Sequence, residues 1–297
     1  ISMACLEAFQ LTGNEKYAKI AREIFTYVLR DMTDKQGGFY SAEDADSEGE
    51  EGIFYIWTEK ELVEILGKDE GQKLAKVFGF IDVGNFQEEA SGHTTGNNIP
   101  YFPKDRETLA KKIDMTLDDF NVFVEKSRQK LFNVREKRIH PLKDDKILTD
   151  WNGLMIAALS QGGQVLGDEA YINAAKNAAG FVMKSLRDKK GKLMKRSRLG
   201  KAGLQPHLDD YSFMVFGLLN LYEATFDPSY LASALELTEI MVEDFADING
   251  GFFIGSKDAE KLMIRAKDSY DGAIPSGNSV AAMNLFRLGK ITGNTKW

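Results

Sequence analysis

The sequence predicts an all-α fold, an α/α toroid built from helical hairpins, and two observations lead to this prediction. The first is an internal repeat in which a tyrosine lies 20 residues before a turn glycine, in the pairs Tyr17 and Gly37, Tyr171 and Gly191, and Tyr230 and Gly250. The second is a difference in hydrophobicity, because segments before the polar turns are apolar on nearly every face whereas those after them are amphipathic. Stacked pairs of one buried and one half-buried helix explain both patterns, since such units need neighbours to cover their apolar faces.

The apolar segments are the predicted inner helices of the hairpins, at residues 3–11, 153–166, 212–224 and 279–291. The amphipathic segments are the predicted outer helices, at residues 16–29, 169–186 and 228–245. Between the first and second repeats the pattern predicts shorter helices at 58–66, 70–77, 106–113 and 116–134. Thr58 and Thr116 are the predicted N-caps of two of these helices, and residues 82–103 are predicted to form a loop.

Composition and charge exclude several classes of protein. The 297 residues carry a formal charge of −7, which argues against nucleic-acid binding because that function rewards a basic surface. No apolar run approaches the roughly 20 residues that span a bilayer, so no membrane partner is expected. The single cysteine, Cys5, excludes an internal disulfide and fits a reducing, cytoplasmic compartment. We expect one domain over residues 1–297, cut from a longer protein at both ends.

Candidate functional residues concentrate in the long connections that return from an outer helix to the next inner helix, on one rim of the predicted toroid. The first, residues 43–51, holds six acidic residues, including Asp44, between aromatic segments that predict a β-hairpin. A calcium loop is rejected because its twelfth position is Tyr55 instead of the glutamate that calcium requires. Two hypotheses stay open for this stretch: a solvated hairpin tip, or a loop that faces a cation or a sugar.

The second connection, residues 144–153, leads into the most apolar helix. Asp150 or Asn152 fits a plain helix cap. Trp151, with Asp145 and Asn152 nearby, equally fits a sugar site, in which an aromatic ring stacks on the sugar and polar groups bind its hydroxyls. Capping and ligand binding are both kept as hypotheses for this segment.

The third connection places His207, Asp209, Asp210 and Tyr211 before the predicted helix 212–224. The helix dipole stabilises an ionised carboxylate there, so either aspartate is predicted to act as a base, a nucleophile or a hydroxyl acceptor. One aspartate is expected to cap the helix and the other to face the lumen beside His207 and Tyr211. A mixture of imidazole, carboxylate and phenol is suited to proton transfer.

The fourth connection places Asp271, Ser276 and Asn278 before the last inner helix. Ser276 or Asn278 fits an N-cap, whereas the backbone amides of the Pro-Ser-Gly turn would suit an oxyanion or a hydroxyl. Asp271 has no capping role in this pattern and is therefore a candidate for chemistry.

The sequence indicates neither a metal nor a cofactor. The spacing of the single cysteine and the three histidines does not suit zinc, with the histidines at His93, His140 and His207. No phosphate-binding glycine loop or nucleophile elbow is present. The Lys/Arg-rich segments 189–192 and 195–198 are predicted to form a solvated hairpin.

Three motifs resemble one protein family: Gly-Gly-Phe-Tyr-Ser-Ala-Glu-Asp-Ala-Asp-Ser at 37–47, Asp-Asp-Lys-Ile-Leu-Thr-Asp-Trp-Asn-Gly at 144–153, and Asp-Gly-Ala-Ile-Pro-Ser-Gly-Asn-Ser-Val-Ala-Ala at 271–282. The chain resembles, along essentially its whole length, the helical portion of the thioredoxin-domain-containing family that includes spermatogenesis-associated protein 20 and bacterial YyaL-type proteins. The resemblance implies an (α/α)6 toroid similar to N-acylglucosamine 2-epimerases and six-hairpin glycosidases, incomplete in this sequence. It also implies a thioredoxin-like domain as a partner in the full-length chain, and this sequence has no C-x-x-C motif from such a domain.

The resemblance further implies two kinds of chemistry. Epimerases of this fold use lumen histidines as acid and base, which points to His207 with His93 or His140. Glycosidases of this fold use paired carboxylates, which points to Asp209 or Asp210 paired with Asp44, Asp145 or Asp271.

The leading hypothesis from the sequence is a carbohydrate-binding toroid, with carbohydrate processing of the epimerase or glycosidase type as its extension. Its ligand would be a sugar-like small molecule. The catalytic candidates are His207, Asp209, Asp210 and Asp271, and the substrate-binding candidates are Asp44, Asp145, Trp151, Asn152, Tyr211, Ser276 and Asn278. The alternative is a non-catalytic scaffold that binds a protein or peptide and serves the attached thioredoxin-like domain.

Overall fold

The computed structural model of the protein describes residues 1–87, 92–260 and 263–295. Within these residues lie eleven α-helices: α1 (Ser2–Thr12), α2 (Glu15–Asp31), α3 (Glu59–Leu66), α4 (Lys68–Val77), α5 (Arg106–Lys112), α6 (Leu117–Arg135), α7 (Thr149–Leu166), α8 (Glu169–Ser185), α9 (Leu208–Thr225), α10 (Pro228–Phe245) and α11 (Gly277–Thr292). Every helix predicted from the sequence is present. The predicted fold class, all-α with helical hairpins of the α/α-toroid type, is confirmed.

Short strands accompany the helices in the described residues: β1 (Ala42–Glu43), β2 (Asp46–Ser47), β3 (Glu50–Glu51), β4 (Lys143–Asp144), β5 (Ile147–Leu148), β6 (Arg196–Arg198) and β7 (Lys201–Gly203). The chain divides into two compact units, of which the first comprises residues 1–42 and 144–297 and the second residues 43–143. The single domain expected over residues 1–297 stays a prediction beside this division.

The first unit is built from two layers of helices. Helices α1, α7, α9 and α11 lie side by side in one layer, and α2, α8 and α10 pack against α1, α7 and α9 as the second. Glycines let α7 and α9 approach closely, because a Cβ on Gly153 would lie 2.4 Å from the carbonyl carbon of Phe213. A Cβ on Gly217 would likewise lie 2.6 Å from the carbonyl oxygen of Gly153. The apolar character of α7 and α9 thus follows from their burial on nearly every face.

Helices α7 and α9 each begin four residues earlier than the sequence predicts, at Thr149 and Leu208. Polar residues interrupt the apolar run in the first turn of each helix, so the hydrophobicity pattern alone placed the helix start too late. As a result Trp151, Asn152 and residues 209–211 belong to first helical turns and not to loops. Their side chains are therefore positioned by regular backbone.

Each of the outer helices α2, α8 and α10 is followed by the same tight turn, which explains the 20-residue repeat. The turn begins at an aspartate whose carboxylate accepts a hydrogen bond from the amide two residues on, at Asp34, Asp188 and Asp247. It closes at a glycine with positive φ, at Gly37, Gly191 and Gly250. The next strand-like residue pairs back with the end of the helix, at Phe39, Leu193 and Phe252.

The second unit contains α3 to α6 around its own core, in which Leu62, Leu74 and Phe120 are wholly buried. Thr58 and Thr116 cap α3 and α6 as predicted. In the acidic stretch 43–51, β2 and β3 pair as an antiparallel hairpin inside the acidic residues. The prediction that the flanking aromatic segments form the strands of a hairpin is therefore wrong, because both paired strands lie within the acidic run itself.

Two further predictions concern loops and membranes. Of the predicted loop at 82–103, residues 88–91 lie outside the described residues, and the remainder contains no helix. None of the helices in the described ranges combines the length and the apolar composition that crossing a bilayer requires.

Candidate functional site

The first turn of α7 carries an asparagine that binds the strand-like segment after the α2 turn. The side chain of Asn152 accepts a hydrogen bond from the Phe39 N–H at 2.8 Å and donates to the Phe39 carbonyl oxygen at 3.0 Å. It also donates to the Leu148 carbonyl oxygen at 2.7 Å. We call this arrangement the asparagine clamp. Both ends of the amide are thus engaged by backbone groups in a position that is 1% exposed.

The first turn of α11 repeats the asparagine clamp. Asn278 accepts from the Phe252 N–H at 2.8 Å and donates to the Phe252 carbonyl oxygen at 3.0 Å. It donates in addition to the carbonyl oxygen of Asp268 at 2.7 Å. Both asparagines predicted to bind a sugar therefore hold the rim connections to the helix layer.

In the first turn of α9 a tyrosine occupies the corresponding place. The hydroxyl of Tyr211 accepts a hydrogen bond from the Leu193 N–H at 3.0 Å, and its ring packs on Phe245. The side chain is wholly buried. Burial raises the pKa of Tyr211 to about 12, so the phenol stays neutral at physiological pH.

Three ionisable side chains are buried together where α7 and α9 begin. The Lys195 ammonium lies 2.6 Å from Oδ2 of Asp150 and 3.3 Å from Oδ1 of Asp210. The wholly buried Asp210 also accepts hydrogen bonds from the backbone N–H of Asp150 at 3.2 Å and of His207 at 2.7 Å. We call Asp150, Lys195 and Asp210 the buried triad. Asp210 closes the start of α9 in the way that a capping-box acid does.

Burial determines the protonation of the buried triad. It raises the pKa of Asp210 to about 7, because the loss of hydration outweighs the attraction of Lys195, and repulsion from Asp150 adds to the effect. Burial also disfavours the Lys195 ammonium, but the two carboxylates outweigh it and the pKa of Lys195 is raised. The lysine is therefore charged at neutral pH, while Asp210 titrates close to neutrality.

His207 and Asp209 flank the buried triad and are partly open to solvent. Burial, followed by the charge of Lys195, lowers the pKa of His207. Burial raises the pKa of Asp209, with Asp150 adding to the increase and Lys195 opposing it. The carboxylate of Asp209 also lies against the start of α11, since a Cβ on Gly277 would come within 2.2 Å of its Oδ1. A larger residue at this position would displace the Asp209 carboxylate.

The protonation of the two aspartates differs from the expectation based on the helix dipole. That expectation keeps Asp209 and Asp210 ionised at the start of α9, whereas the pKa of both carboxyls is raised. The dipole contributes at most about 2 kcal/mol in favourable sites, whereas desolvation shifts fully buried carboxyls by several pKa units. Burial decides the outcome here.

An open cavity of about 490 Å³ lies beside Trp151. One wall is the face of α7 formed by Trp151, Leu154, Met155 and Ala158. The other walls come from α1 with the residue before it, from α9, from α11 and from the segment entering α11. Their described residues are Ile1, Ser2, Met3, Phe216, Ala273, Ile274, Pro275, Ser279, Val280 and Met283. The side chain of Trp151 is 45% exposed. We call this cavity the Trp151 pocket. Its size is within the range of small-molecule sites, and its lining is largely apolar.

At the start of α11, local hydrogen bonds involve Ser276, Ser279 and the carboxylate of Asp271. Ser276 caps the helix through a 3.2 Å hydrogen bond from the Ser279 N–H. Asp271 accepts hydrogen bonds from the Ser276 N–H at 2.8 Å and from the Ser279 hydroxyl at 3.1 Å, and these bonds lower its pKa. The carboxylate of Asp271 thus has a local structural partner that the sequence pattern did not indicate.

The two remaining predicted acids lie elsewhere. Asp145 accepts a 2.6 Å hydrogen bond from Nε of Arg198 and lines a separate polar cavity with Tyr40. Asp44 belongs to the second unit, where its carboxylate accepts from the Asp46 N–H at 3.2 Å. Within the described residues, no three metal-binding side chains converge.

The two other histidines also belong to the second unit. His140 stacks on Phe54 at 4.7 Å between ring centroids. His93 lies on the exposed segment that follows residues 88–91.

Lys195 is the site residue that sequence reasoning missed. It belongs to the segment 195–198, which the sequence predicts to form a solvated hairpin with 189–192, but β6 pairs instead with β5 and β7. The Lys195 side chain, however, is only 20% exposed and is paired with two aspartates. No local sequence signal marks it, because Lys195 precedes β6 and its partners Asp150 and Asp210 come from other segments of the chain.

Comparison with known proteins identifies relatives along the whole chain, although no family model matches it. Human spermatogenesis-associated protein 20 is 37% identical over 326 aligned residues, which cover 100% of this chain and 41% of the human protein. The rat protein of the same name is 36% identical with the same coverage, 100% of this chain and 41% of the rat protein. The chain therefore spans about two fifths of the length of the curated relatives it matches.

Solved structures with a similar fold are much more distant in sequence. A D-mannose isomerase is 14% identical, with 99% of this chain and 70% of that chain covered and a TM-score of 0.42. A family 105 glycoside hydrolase from C. acetobutylicum is 12% identical, with 99% and 71% covered and a TM-score of 0.44. At TM-scores below 0.5 these similarities support no further conclusion about this chain. The chain itself is a homologue of spermatogenesis-associated protein 20 along its whole length, which confirms the family resemblance of its sequence motifs.

Proposed function

We propose that this part of the protein binds a carbohydrate-like small molecule in the Trp151 pocket and acts on it through His207 and Asp209. The observation that carries the proposal is that Asp209, at the start of α9, lies against the start of α11, a helix that also lines the pocket. Asp209 contacts Gly277 at the start of α11, and Ser279 and Val280 of the same helix line the pocket. An exposed indole next to ionisable groups suits a sugar ring, which has an apolar face and hydroxyl edges.

His207 and Asp209 would supply the acid and the base of a proton transfer. The pKa of His207 is lowered and the pKa of Asp209 is raised, so the two values approach each other. A proton passes between two groups of similar pKa with little difference in free energy, because each pKa unit between them corresponds to about 1.4 kcal/mol. The pair therefore suits removal of a proton from a sugar carbon or hydroxyl by one group and its return by the other.

The buried triad would position this pair without touching the ligand. Asp210 accepts from the His207 N–H at 2.7 Å, and Lys195 contributes to the pKa shifts of both His207 and Asp209. The two carboxylates of the triad are shielded, since Asp210 is wholly buried and Asp150 is 6% exposed, whereas the Lys195 side chain is 20% exposed. Perturbed pKa values around a specific ion pair are typical of functional sites.

The second candidate function is a non-catalytic scaffold that binds a protein or peptide. The observation that favours it is the lining of the Trp151 pocket, in which Leu154, Phe216 and Met283 present apolar surface. Such a lining fits an apolar side chain of a partner at least as well as it fits the hydroxyl edges of a sugar.

A thermal-shift screen with neutral sugars, sugar acids and sugar phosphates separates the two functions. A ligand at 100 times its dissociation constant stabilises a protein by about 2.7 kcal/mol, which is a readily measured shift in Tm. The proposed function predicts stabilisation by at least one sugar, loss of that stabilisation in Trp151→Ala, and conversion of the bound sugar by the parent but not by Asp209→Asn.

Glu243→Gln is the matched control for the loss of a carboxylate, because Glu243 is exposed and pairs with Lys257 on another part of the surface. If no sugar stabilises the protein while a peptide library yields a binder that Trp151→Ala loses, the scaffold function is correct. Conversion of a sugar at an unchanged rate in Asp209→Asn and in His207→Gln would contradict the proposed proton transfer.

A further inference from the structure

The second unit has a cavity of its own with aromatic walls and cationic side chains. Its volume is about 420 Å³, within the range of small-molecule sites. The lining residues are Tyr55, Trp57, Phe78, Ile99, Pro100, Arg128, Leu131, Phe132 and Arg135. We call it the Arg135 pocket. All of its lining residues lie within residues 43–143.

Three arginines on or just after α6 differ in how fully their donors are used. Arg138 stacks on Trp57 at 4.0 Å and donates through Nη1 to three backbone carbonyl oxygens. Its Nη2 donates to Glu61 at 3.0 Å. Arg128 forms a two-pronged pair with Glu125 at 3.1 and 2.6 Å. Both guanidinium groups therefore have strong acceptors in the protein.

Arg135 is held mainly by aromatic rings. Its guanidinium carbon lies 5.2 Å from the ring centroids of Phe54 and Tyr55 and 5.4 Å from that of Phe132. The nearest carboxylate oxygen among the described residues, on Glu136, is 3.7 Å away, beyond hydrogen-bond range. Among the described residues its Nε has no hydrogen-bond partner although it is buried. Stacking orients the cation but leaves most of its hydrogen-bonding capacity unused.

A partly desolvated guanidinium with unused N–H donors is well suited to bind a planar anion. Carboxylate matches the guanidinium fork through two parallel charge-assisted hydrogen bonds. Apart from Arg128, which is paired with Glu125, the other walls of the Arg135 pocket are largely apolar, with Trp57, Phe78 and Leu131 each less than 9% exposed. An occupant that satisfies both features has a carboxylate on a compact apolar body.

We propose that the Arg135 pocket binds a small amphipathic carboxylate, with its carboxylate on Arg135 and its apolar body against Trp57 and Leu131. This site shares no lining residue with the Trp151 pocket and would bind a different class of ligand. The proposal can therefore be tested independently of the sugar-binding function. The site is a binding site, and no reaction is assigned to it.

The test uses benzoate as the probe, with benzyl alcohol as its uncharged counterpart, on the whole 297-residue chain. Tryptophan side-chain N–H signals in ¹H–¹⁵N spectra report the binding site, and a Trp57→Phe variant assigns the Trp57 signal. A ligand of this size is expected to bind with a dissociation constant of the order of 1 mM. We expect benzoate to shift the Trp57 signal and leave the Trp151 signal in place, and benzyl alcohol to bind about tenfold more weakly.

The variants Arg135→Gln, Arg135→Lys and Arg106→Gln locate the charge that matters. Arg135→Gln is expected to weaken benzoate binding about tenfold, and Arg135→Lys to weaken it less because the charge is kept without the planar fork. Arg106→Gln is the matched control and should change benzoate affinity less than twofold, since this arginine also lies over an aromatic ring, that of Phe102, but is outside the Arg135 pocket.

Equal affinity for benzoate and benzyl alcohol in the parent protein would overturn the proposal without any variant. Unchanged benzoate affinity in a folded Arg135→Gln, or no shift of Trp57 at tenfold the expected constant, would do so as well. Folding of each variant is checked by its Tm, and the comparison of the two probes remains decisive if Arg135→Gln does not fold.

Discussion

The entrances into α7 and α11 share one backbone design and differ in buried charge. At both, an asparagine in the first helical turn binds the segment after a glycine turn through the same three kinds of hydrogen bond. At α7 the neighbouring residues include Asp150, which is buried with Lys195 and Asp210. At α11 the neighbouring groups are Ser276 and the exposed Asp271.

The difference teaches that the repeat does not require buried charge. At α11 the neutral Ser276 and Asn278 act together with the exposed Asp271 carboxylate, and at α9 a neutral phenol, Tyr211, performs the corresponding task. Burying two carboxylates and an ammonium costs desolvation energy that the hairpin design does not demand. The buried triad is therefore an addition to the repeat, and this is why we associate the α7 and α9 entrances with function.

The largest expected effect comes from removing the cation of the buried triad. Lys195→Met leaves two buried carboxylates without their counter-ion, which should lower the free energy of unfolding by about 3–5 kcal/mol. The control is Lys267→Met near the α11 entrance, where the lysine pairs with Asp247 and is 34% exposed, so the loss should stay below about 1 kcal/mol. Urea unfolding of both variants measures the two losses in unfolding free energy. Equal losses would mean that the lysine of the buried triad contributes no more to stability than a lysine in a surface ion pair.

The next effect compares the two asparagine clamps. Asn152→Ala leaves the Phe39 N–H and two carbonyl oxygens without partners at a buried site, which should cost about 2–3 kcal/mol. Asn278→Ala breaks the same pattern at a half-buried site where water replaces part of it, so the expected cost is about 1 kcal/mol. Denaturant unfolding gives both values. A larger loss at Asn278 would contradict the idea that burial sets the strength of the clamp.

The pH dependence of stability should have opposite signs at the two entrances. The pKa of Asp210 is raised to about 7 in the folded protein, above the roughly 3.9 of an unfolded aspartate. The folded state therefore holds an extra proton between these values, and the contribution to stability falls as pH rises from about 4 to about 7. The slope from this one group is at most about 1.4 kcal/mol per pH unit.

Asp271 should behave in the reverse way, because its pKa is lowered by its hydrogen bonds and its contribution is lost as pH falls below that of an unfolded aspartate. Unfolding free energies at a series of pH values test this, with Asp210→Asn and Asp271→Asn as the paired variants. Asp210→Asn should flatten the profile between pH 4 and 7, and a profile that stays unchanged would show that another group titrates there.

The smallest effect concerns the helix caps. Ser276→Ala removes the side-chain cap of α11 and should cost about 1 kcal/mol. At α7 the cap position is Leu148, whose side chain forms no capping hydrogen bond. Any loss of stability in Leu148→Ala should therefore come from lost packing alone and not from capping. Unfolding measurements on the two variants check the difference.

Much of the fold was predictable because it depends on local patterns. Polar turns, positive-φ glycines such as Gly37 and Gly191 and the amphipathic outer helices are all visible in the sequence. The first turns of α7 and α9 were not, because polar residues such as Asp150 and Asp210 break the apolar run while fitting a helix start. The family resemblance was predictable as well, since its motifs are long.

The candidate site was predictable only in part. The positions of His207, Asp209 and Trp151 on one rim follow from the order of the connections. Their roles do not follow from it. Lys195, whose charge shifts the pKa of His207 and Asp209, belongs to a segment that the sequence predicts to be solvent-exposed. The pKa of Asp209 depends on burial, and burial is a property of neighbouring helices that no local pattern contains.

The sequence by itself determined the repeat, the two layers of helices and the rim on which polar residues collect. These are consequences of spacing and hydrophobicity, which act along the chain. Only the tertiary structure decided which polar groups hold backbone and which are free for chemistry. Asn152 and Asn278 became clamps, and Asp150, Lys195 and Asp210 became a buried triad. The physical reason is that hydrogen-bond satisfaction and desolvation depend on segments distant in sequence, which meet only when the helices pack.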